Sequence, residues 1–279
     1  MTRCYAVTRL ETINFLNDIL LTEMPECRKE AATFANTAAD RRRLLRALMN
    51  VRPPLPLRED FLAVQDELLQ AETREKGIVT VEELTATAAT KMPDIFLWQG
   101  DITRLATNAI VNAANNALLG CFVPGHACID NAIHSAAGLQ LRAACHEFML
   151  AQGHAEPTGK AKITPAFNLP CRYVLHTVGP IVRTADESGK IFVPTADDAA
   201  LLSGCYRSCL TLAAQHNLQS VAFCAISTGE FHFPQRQAAK IAVNTVAEWK
   251  RQTNSAMKIV FDVFKDDDTE IYRELLGLS

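Results

Sequence analysis

An alternation of strands and helices is indicated by residues 221–229, Val-Ala-Phe-Cys-Ala-Ile-Ser-Thr-Gly. The first six residues are apolar, as expected of a strand that is buried on both faces, and a polar turn containing a glycine follows. Pro234 then suits the first turn of a helix, which the pattern predicts to run to about Arg251. A buried strand that leads through a short turn into a helix is typical of α/β folds.

The same alternation extends over the chain after Pro93. Short apolar runs predict strands at residues 95–98, 109–112, 173–178 and 259–264. Helical spacing of apolar residues predicts helices over residues 129–150 and 197–216, with a short helix closing the chain. We therefore expect an α/β fold of three layers, in which helices flank a central mixed, largely parallel sheet. Ligands of such sheets bind outside the carboxyl ends of the strands.

The first part of the chain has a different pattern. Residues 8–90 are helical in character, with apolar positions at helical spacing in residues 10–20 and 44–48. Residues 53–56, Pro-Pro-Leu-Pro, interrupt this pattern, and a third helix is predicted from about Arg58 to Glu75. We expect two regions: a helical extension over residues 1–92, packed on the core, and the α/β domain over residues 93–279.

Composition limits the classes of protein that fit. Hydrophobic residues make up 48% of the 279 residues and the net charge is −3, which is typical of a globular protein. A charge so close to zero, with 7% aromatic residues, argues against nucleic acid as a partner. No apolar run is long enough to span a membrane, and the first residues lack the apolar core of a signal peptide. Nine cysteines, an odd number, suit a reducing compartment, so a cytoplasmic location is expected.

The sharpest local feature is a loop that carries Cys121, His126 and Cys128 within eight residues. Thiolates and imidazoles are the ligands that zinc prefers. Three ligands would leave one position open for water or substrate, as in catalytic sites. A fourth ligand would make the site structural, and the candidates are Cys145, Cys171, Cys205, Cys209 and Cys224. The alternative is a pair of buried cysteines with an unrelated histidine.

Three other segments carry polar groups near strand ends. The turn at residues 227–229 favours an anion such as a diphosphate, although the carboxylate of Glu230 opposes this unless it faces away. Asp101, after the first strand, can accept a hydrogen bond from an exocyclic amine or can cap a turn. The asparagines within residues 112–116 need partners, which a hydroxyl-rich ligand or backbone caps would supply.

Together these segments resemble the macrodomain family of ADP-ribose-binding α/β modules. The resemblance rests on residues 100–103, 109–115, 129–134, 176–180 and 226–229. Most hydrolytic macrodomains carry a run of glycines before the position of Asp130, where this chain has the segment from Cys121 to Cys128. In this segment the chain resembles the zinc-dependent macrodomains. Those proteins also carry a helical N-terminal extension with a segment like residues 51–56.

The resemblance implies a set of site residues. Asp101 would bind the adenine amino group, Phe264 would stack on adenine, and amides of residues 227–231 would bind the diphosphate. ADP-ribose-binding positions implied in this way are Asp101, Ile102, Asn115, Ile129, Asp130, Asn131, Ser227, Thr228, Gly229, Glu230, Phe231 and Phe264. Zn²⁺ would be held by Cys121, His126 and Cys128 beside the distal ribose, with Asn115 and Asp130 as the catalytic residues. His134, one helical turn after Asp130, is expected to be structural.

The resemblance also implies an activity: zinc-dependent hydrolysis that removes mono-ADP-ribose from modified protein side chains, by cleavage of a glycosidic type. The metal would activate water or orient the ribose hydroxyls, and both roles stay open. In some microbes such proteins occur beside a sirtuin-type ADP-ribosyltransferase, whose modification they reverse. Two alternatives are a module that only binds ADP-ribosylated protein and a deacylase of O-acetyl-ADP-ribose.

Overall fold

The computed structural model of the chain describes residues 8–87, 89–182 and 193–278. The helices are α1 (Arg9–Glu23), α2 (Arg28–Ala31), α3 (Ala38–Val51), α4 (Glu59–Lys76), α5 (Val81–Thr87), α6 (Ile129–Ala137), α7 (Leu139–Gln152), α8 (Ala196–Gln215), α9 (Gln235–Thr253) and α10 (Asp266–Leu275). The strands are β1 (Val79–Thr80), β2 (Ile95–Gln99), β3 (Leu105–Ala106), β4 (Ala109–Ala114), β5 (Ala161–Pro165), β6 (Tyr173–Val178), β7 (Ser220–Phe223) and β8 (Lys258–Val263).

A six-stranded sheet, in the order β2-β8-β7-β4-β6-β5, forms the centre of the molecule. Its neighbouring strands are parallel except for β5, which runs antiparallel to β6 at one edge. Ile110 of β4 lies between Val174 and Ala222 of its two neighbours, and all three are fully buried. Burial on both faces explains why these strands are continuously apolar in sequence. The predicted α/β fold, with a mixed and largely parallel sheet flanked by helices, is confirmed.

The helices of residues 9–76 have an apolar cluster of their own. It contains Leu16 of α1, Leu45 of α3 and Phe61 of α4, and it extends to Leu139 at the start of α7. The extension therefore packs against the helices that cover the sheet. Among the described residues, none of the helices combines the length and the apolar character that crossing a membrane requires.

One predicted helix is divided in the structure. The spacing predicts a continuous helix over residues 129–150, whereas α6 ends at Ala137 and α7 begins at Leu139. Gly138, between them, has a φ of 95°, which side-chain-bearing residues rarely adopt. A Cβ at Gly138 would lie 2.6 Å from Nε2 of Gln65, whose Oε1 accepts a hydrogen bond from the amide of Leu139 (2.9 Å). The helix is thus interrupted at Gly138, where the side chain of Gln65 from the extension packs against the backbone.

Strand boundaries also differ from the prediction. The apolar run 221–226 predicts a strand to Ile226, but β7 ends at Phe223 and the chain then enters a turn, in which Ser227 has a φ of 67°. Strand β5 is absent from the prediction because Lys162, Thr164 and Pro165 break the apolar pattern. Proline tolerates such an edge position, where its missing donor costs little.

Candidate active site

A cleft of about 780 Å³ opens at the carboxyl ends of the parallel strands. The predicted site residues that line it are Asp101, Ile102, Asn115, Cys121, His126, Cys128, Ile129, Asp130, Ser227, Thr228, Gly229, Glu230, Phe231 and Phe264. Asn131 is the exception, since its buried side chain points to the neighbouring loop, where Nδ2 donates to the carbonyl of Val123 (3.0 Å). Parallel strands bring these segments together because their carboxyl ends share one edge of the sheet.

Asp101 lies at one end of the cleft, directly after β2. Its Oδ1 accepts hydrogen bonds from the amide and hydroxyl of Thr103 (3.0 and 2.6 Å), and Oδ2 lies 3.4 Å from Nζ of Lys76. Burial acts to raise the pKa of this carboxyl, but the Thr103 bonds and the Lys76 charge outweigh it and the pKa is lowered. Asp101 is therefore an ionised acceptor, as recognition of an amine requires.

Two residues from the end of β8 complete this part of the cleft. Phe264 follows the strand and is 76% exposed, so its ring is free to cover a ligand. Asp262 lines the cleft but is buried, and its Oδ1 has no hydrogen-bond partner in the described part of the chain. Burial, with a smaller effect from Asp101, raises the pKa of Asp262 well above its ordinary value. An acid inside the apolar run 259–264 was visible in the sequence and could have marked this position.

The turn after β7 forms a second wall. The amide of His232 donates to the carbonyl of Gly229 (3.0 Å), and the amide of Phe233 donates to that of Ser227 (2.9 Å), which closes the turn. Gly179 packs beneath it so closely that a Cβ there would overlap Oγ of Ser227. Glu230 is largely exposed and points across the cleft, with Oε1 3.6 Å from Nε2 of His126. Its carboxylate therefore faces the loop opposite this turn.

Cys121, His126 and Cys128 come together on that opposite loop. Their ligand atoms all lie within 4.8 Å of one another, and Sγ of Cys121 is 3.7 Å from Nδ1 of His126. In a tetrahedral zinc site such ligand atoms lie about 3.6–3.8 Å apart, so closure of this arrangement by about 1 Å or less would suit the ion. Sγ of Cys128 also caps α6 by accepting from the amide of Asn131 (3.4 Å). Burial raises the pKa of Cys128 to about 11, with Cys121 adding to the effect.

Within the described ranges, no fourth histidine, cysteine or acid has a ligand atom within 4.8 Å of those of all three residues of this trio. Cys145 instead lies with His134 and His176 in a separate buried group. Cys171, Cys205, Cys209 and Cys224 are buried in the main apolar core. The donor set therefore fits zinc with three protein ligands and gives no support to the four-ligand structural alternative.

Asp130 and Asn115 meet beside the trio. Nδ2 of Asn115 donates to Oδ2 of Asp130 (3.3 Å) and to the carbonyl of Gly120 (3.0 Å). Nδ2 of Asn112 donates to Oδ1 of Asp130 (2.8 Å). Burial raises the pKa of Asp130 to about 6, and the bond from Asn112 and the charge of Arg142 oppose that rise. The two predicted catalytic residues are thus in direct contact.

A buried polar group supports Asp130 from behind. His176 contacts Asn112 through Nδ1 (3.2 Å) and Thr164 through Nε2 (3.0 Å), so both its ring nitrogens have partners. Nε2 of His134 lies 3.5 Å from Oδ1 of Asp130, and burial holds the pKa of His134 well below its ordinary value. His134 is a neutral, buried side chain outside the cleft lining, in agreement with a structural role.

The extension also contributes to the cleft, which the sequence did not indicate. Side chains from α3 and α4 that line it include Arg42, Arg46, Glu72 and Lys76. Charged residues on helices are ordinary surface features, so nothing local distinguished these four. Only the packing of the extension on the core places them here.

Comparisons with known proteins agree with this geometry. A family model described as Macro domain matches residues 111–242. A protein from Treponema medium named protein-ADP-ribose hydrolase is 49% identical over 271 residues, which cover 97% of this chain and 100% of that protein. The similarity therefore includes the helical extension.

Two solved structures are also similar. An Oceanobacillus iheyensis macrodomain with MES bound is 39% identical, with a TM-score of 0.57, and the match covers 66% of this chain and 90% of that one. A Trypanosoma brucei macrodomain in complex with ADP-ribose is 28% identical, with a TM-score of 0.61, over 83% of this chain and 95% of that one.

Proposed function

Since this chain belongs to the macrodomain family, we propose that it is a protein-ADP-ribose hydrolase that removes mono-ADP-ribose from modified protein side chains with the help of zinc. The observation that carries the proposal is the placement of Cys121, His126 and Cys128 beside Asp130 and Asn115 in one cleft. The name of the Treponema medium relative and the ADP-ribose complex of the Trypanosoma brucei macrodomain support it.

The cleft offers a matching group for each part of ADP-ribose. The ionised Asp101 accepts from the adenine amino group, beside the backbone of Ile102, and the exposed ring of Phe264 stacks on the base. Amides of the turn 227–231 and of the first turn of α6 bind the diphosphate. The distal ribose then lies against Asn115 and Asp130, next to the metal ligands.

The reaction is hydrolysis of the bond between C1 of the distal ribose and the protein side chain. Water adds to C1, the side chain leaves with a proton, and positive charge develops on the sugar as the bond breaks. Asn115 positions the ribose, and the Asp130 carboxyl holds a ribose hydroxyl or accepts the proton of water. Zinc held by the two thiolates and the imidazole would supply a Lewis acid that lowers the pKa of a water or orients the ribose hydroxyls.

The setting of this reaction follows from the same proposal. The substrate is a mono-ADP-ribosylated protein, and a sirtuin-type ADP-ribosyltransferase is the class of enzyme that would supply it. A cytoplasmic location suits the odd number of cysteines, which are kept as thiols in a reducing compartment.

One substitution tests the metal ligands without removing the helix cap. Cys128→Ser retains an oxygen that caps α6 but removes a thiolate. We expect metal content, measured by elemental analysis, and release of ADP-ribose from modified protein to fall together, while the far-UV circular dichroism stays as in the wild type. Full turnover by a metal-free variant would contradict the role of zinc.

A second substitution separates binding from the metal. Asp101→Ala removes the acceptor at the adenine end, so calorimetry should show ADP-ribose affinity reduced by roughly tenfold or more with zinc content unchanged. Wild-type protein that binds ADP-ribosylated protein without turnover would identify a binding module instead. Faster turnover of O-acetyl-ADP-ribose than of modified protein would identify a deacylase.

A further inference from the structure

The loop with the three metal ligands is held by a helix of the extension. Residues 120–128 contain no regular helix or strand. Asn50 of α3 accepts a hydrogen bond through Oδ1 from the amide of Gly125 (2.9 Å). Arg46, one turn earlier on the same face of α3, directs Nη2 at the carbonyl of His126 (3.4 Å). Two neighbouring residues between the cysteines are therefore fixed from outside the loop.

Each of these two side chains is in turn fixed to α6. Nδ2 of Asn50 donates to Oγ of Ser135 (3.0 Å), and Asn50 is only 1% exposed. Arg46 donates through Nε and Nη2 to Oδ1 of Asn131 (3.2 and 2.8 Å). Since Asn131 also donates to the carbonyl of Val123, the loop, α3 and α6 form one connected hydrogen-bond network.

From this network we infer that α3 holds the loop in the conformation in which its three side chains can bind a metal ion. Asn50 and Arg46 are then positioning residues that set the affinity for the metal. The inference rests on the proposed function, because it concerns the same Cys121, His126 and Cys128. A loop with glycines at positions 120 and 125 can adopt many conformations, and few of them bring the imidazole of His126 close to the thiols of Cys121 and Cys128. Groups that orient ligands from behind typically change metal affinity by about 10–100-fold.

Asn50 is the better of the two residues for a test, because it lies behind the loop and outside the cleft lining. A change in metal binding on its replacement cannot come from a lost contact with ADP-ribose. Asn50→Leu keeps a similar volume but removes both hydrogen bonds. Asn50→Asp keeps an acceptor for the amide of Gly125 and can accept from Ser135.

The first readout is the affinity for Co²⁺, measured by competition with a chelator and followed by the thiolate-to-cobalt absorption band. We expect Asn50→Leu and Arg46→Met to weaken cobalt binding by about tenfold or more, and Asn50→Asp to recover most of the loss. The second readout is amide hydrogen exchange of Gly125 in the metal-free protein, which Asn50→Leu should accelerate and Asn50→Asp should not.

Matched controls separate positioning from general destabilisation. Asn17→Leu replaces another buried asparagine of the extension, one that donates to the carbonyl of Arg41 and not to the loop. Arg43→Met removes a positive charge from the exposed side of α3, where Arg43 pairs with Asp40. Both controls should bind cobalt within about twofold of the wild type, whatever their melting temperatures.

The outcomes distinguish this inference from the proposed function. Cobalt binding by Asn50→Leu within about twofold of the wild type, or an equal loss in Asn17→Leu, would overturn the inference alone. A wild-type protein that develops no thiolate band with cobalt would overturn the zinc proposal, and this inference with it.

Discussion

Two acids at the same end of the cleft have pKa values that are shifted in opposite directions. Asp101 is ionised because Thr103 and Lys76 stabilise its charge against the effect of burial. Asp262, a short way along the same wall, is buried beside Asp101 without such partners, and its pKa is raised. Asp262 is both more deeply buried than Asp101 and without comparable partners, and both differences raise its pKa relative to that of Asp101.

The raised pKa of Asp262 predicts a pH-dependent cost to stability. The folded state retains the proton to higher pH than the unfolded chain, whose aspartate pKa is about 4. Stability therefore falls as the pH rises from about 4 through the folded-state pKa, by about 1.4 kcal/mol for each unit of the shift. Asp262→Asn, which cannot ionise, should be more stable than the wild type at pH 8 and show little difference near pH 4.

Urea unfolding of both proteins from pH 4 to pH 8 measures this difference. Glu147→Gln is the matched control, because it removes an acid from an exposed position of α7. A constant difference between Asp262→Asn and the wild type across the range would show that Asp262 titrates normally in the folded protein.

At the scale of elements, one glycine decides how the α6–α7 segment is built. Gly138 has a φ of 95° and leaves room for Gln65 of α4 to cap the start of α7. Apolar spacing on both sides of Gly138 is helical, so the sequence pattern could not show the break. The information lay in a contact with residue 65, which is distant in the chain.

Gly138→Ala should therefore lower the free energy of unfolding by roughly 2 kcal/mol or more, since the added Cβ meets both a strained backbone and Nε2 of Gln65. Gly204→Ala provides the contrast, because Gly204 lies within α8 and its added Cβ would have only ordinary contacts, 3.5 Å from the carbonyl of Gly159. That change should stabilise the protein by about 0.5–1 kcal/mol. Chemical denaturation gives both values, and equal effects of the two changes would contradict this account.

Strands and helices with strong apolar patterns were predictable to within a few residues. α4 is predicted from about Arg58 to Glu75 and observed from Glu59 to Lys76, since an apolar face and Gly77 mark it. Strand β5 was not predicted, because an edge strand with polar residues has no such pattern. A pattern of apolar residues reflects burial, so it does not reveal elements that are only partly buried.

At the scale of the whole molecule, a buried arginine joins the extension to the α/β core. Arg142 of α7 donates to the carbonyls of Met49 and Arg52 at the end of α3, and to that of Leu119 (2.6 Å), which precedes the loop 120–128. Burial lowers the pKa of Arg142 to about 10, so it keeps its charge at neutral pH. Three carbonyls from two parts of the chain share one cation.

Arg142→Met should reduce stability by roughly 3 kcal/mol or more, because two buried carbonyls and a partly buried one lose a charged donor. With this cation in place, the extension and the core should unfold in a single calorimetric transition. Two separate transitions in the wild type would show that the extension is an independent unit.

The candidate site was predictable where chemistry is local and not where it depends on assembly. Cys121, His126 and Cys128 lie within one loop, and their residue types marked it as a candidate metal site, which the family resemblance then favoured over an unrelated pair of cysteines. Arg46 and Asn50 reach this loop, and Lys76 reaches Asp101, from helices far away in the chain, and no local pattern distinguishes them. Long-range packing places the second group, and that information is spread over the whole sequence.

The hydrogen bond between Asn50 and Gly125 joins residues 75 positions apart, and this has a consequence for biosynthesis. Ribosomes make a chain from its amino end, so α3 is complete before the ligand loop emerges. Ser135 and Asn131, which orient Asn50 and Arg46, emerge later still. Under the proposed function, zinc loading would follow translation of α6, when a nascent chain first has every residue of this hydrogen-bond network.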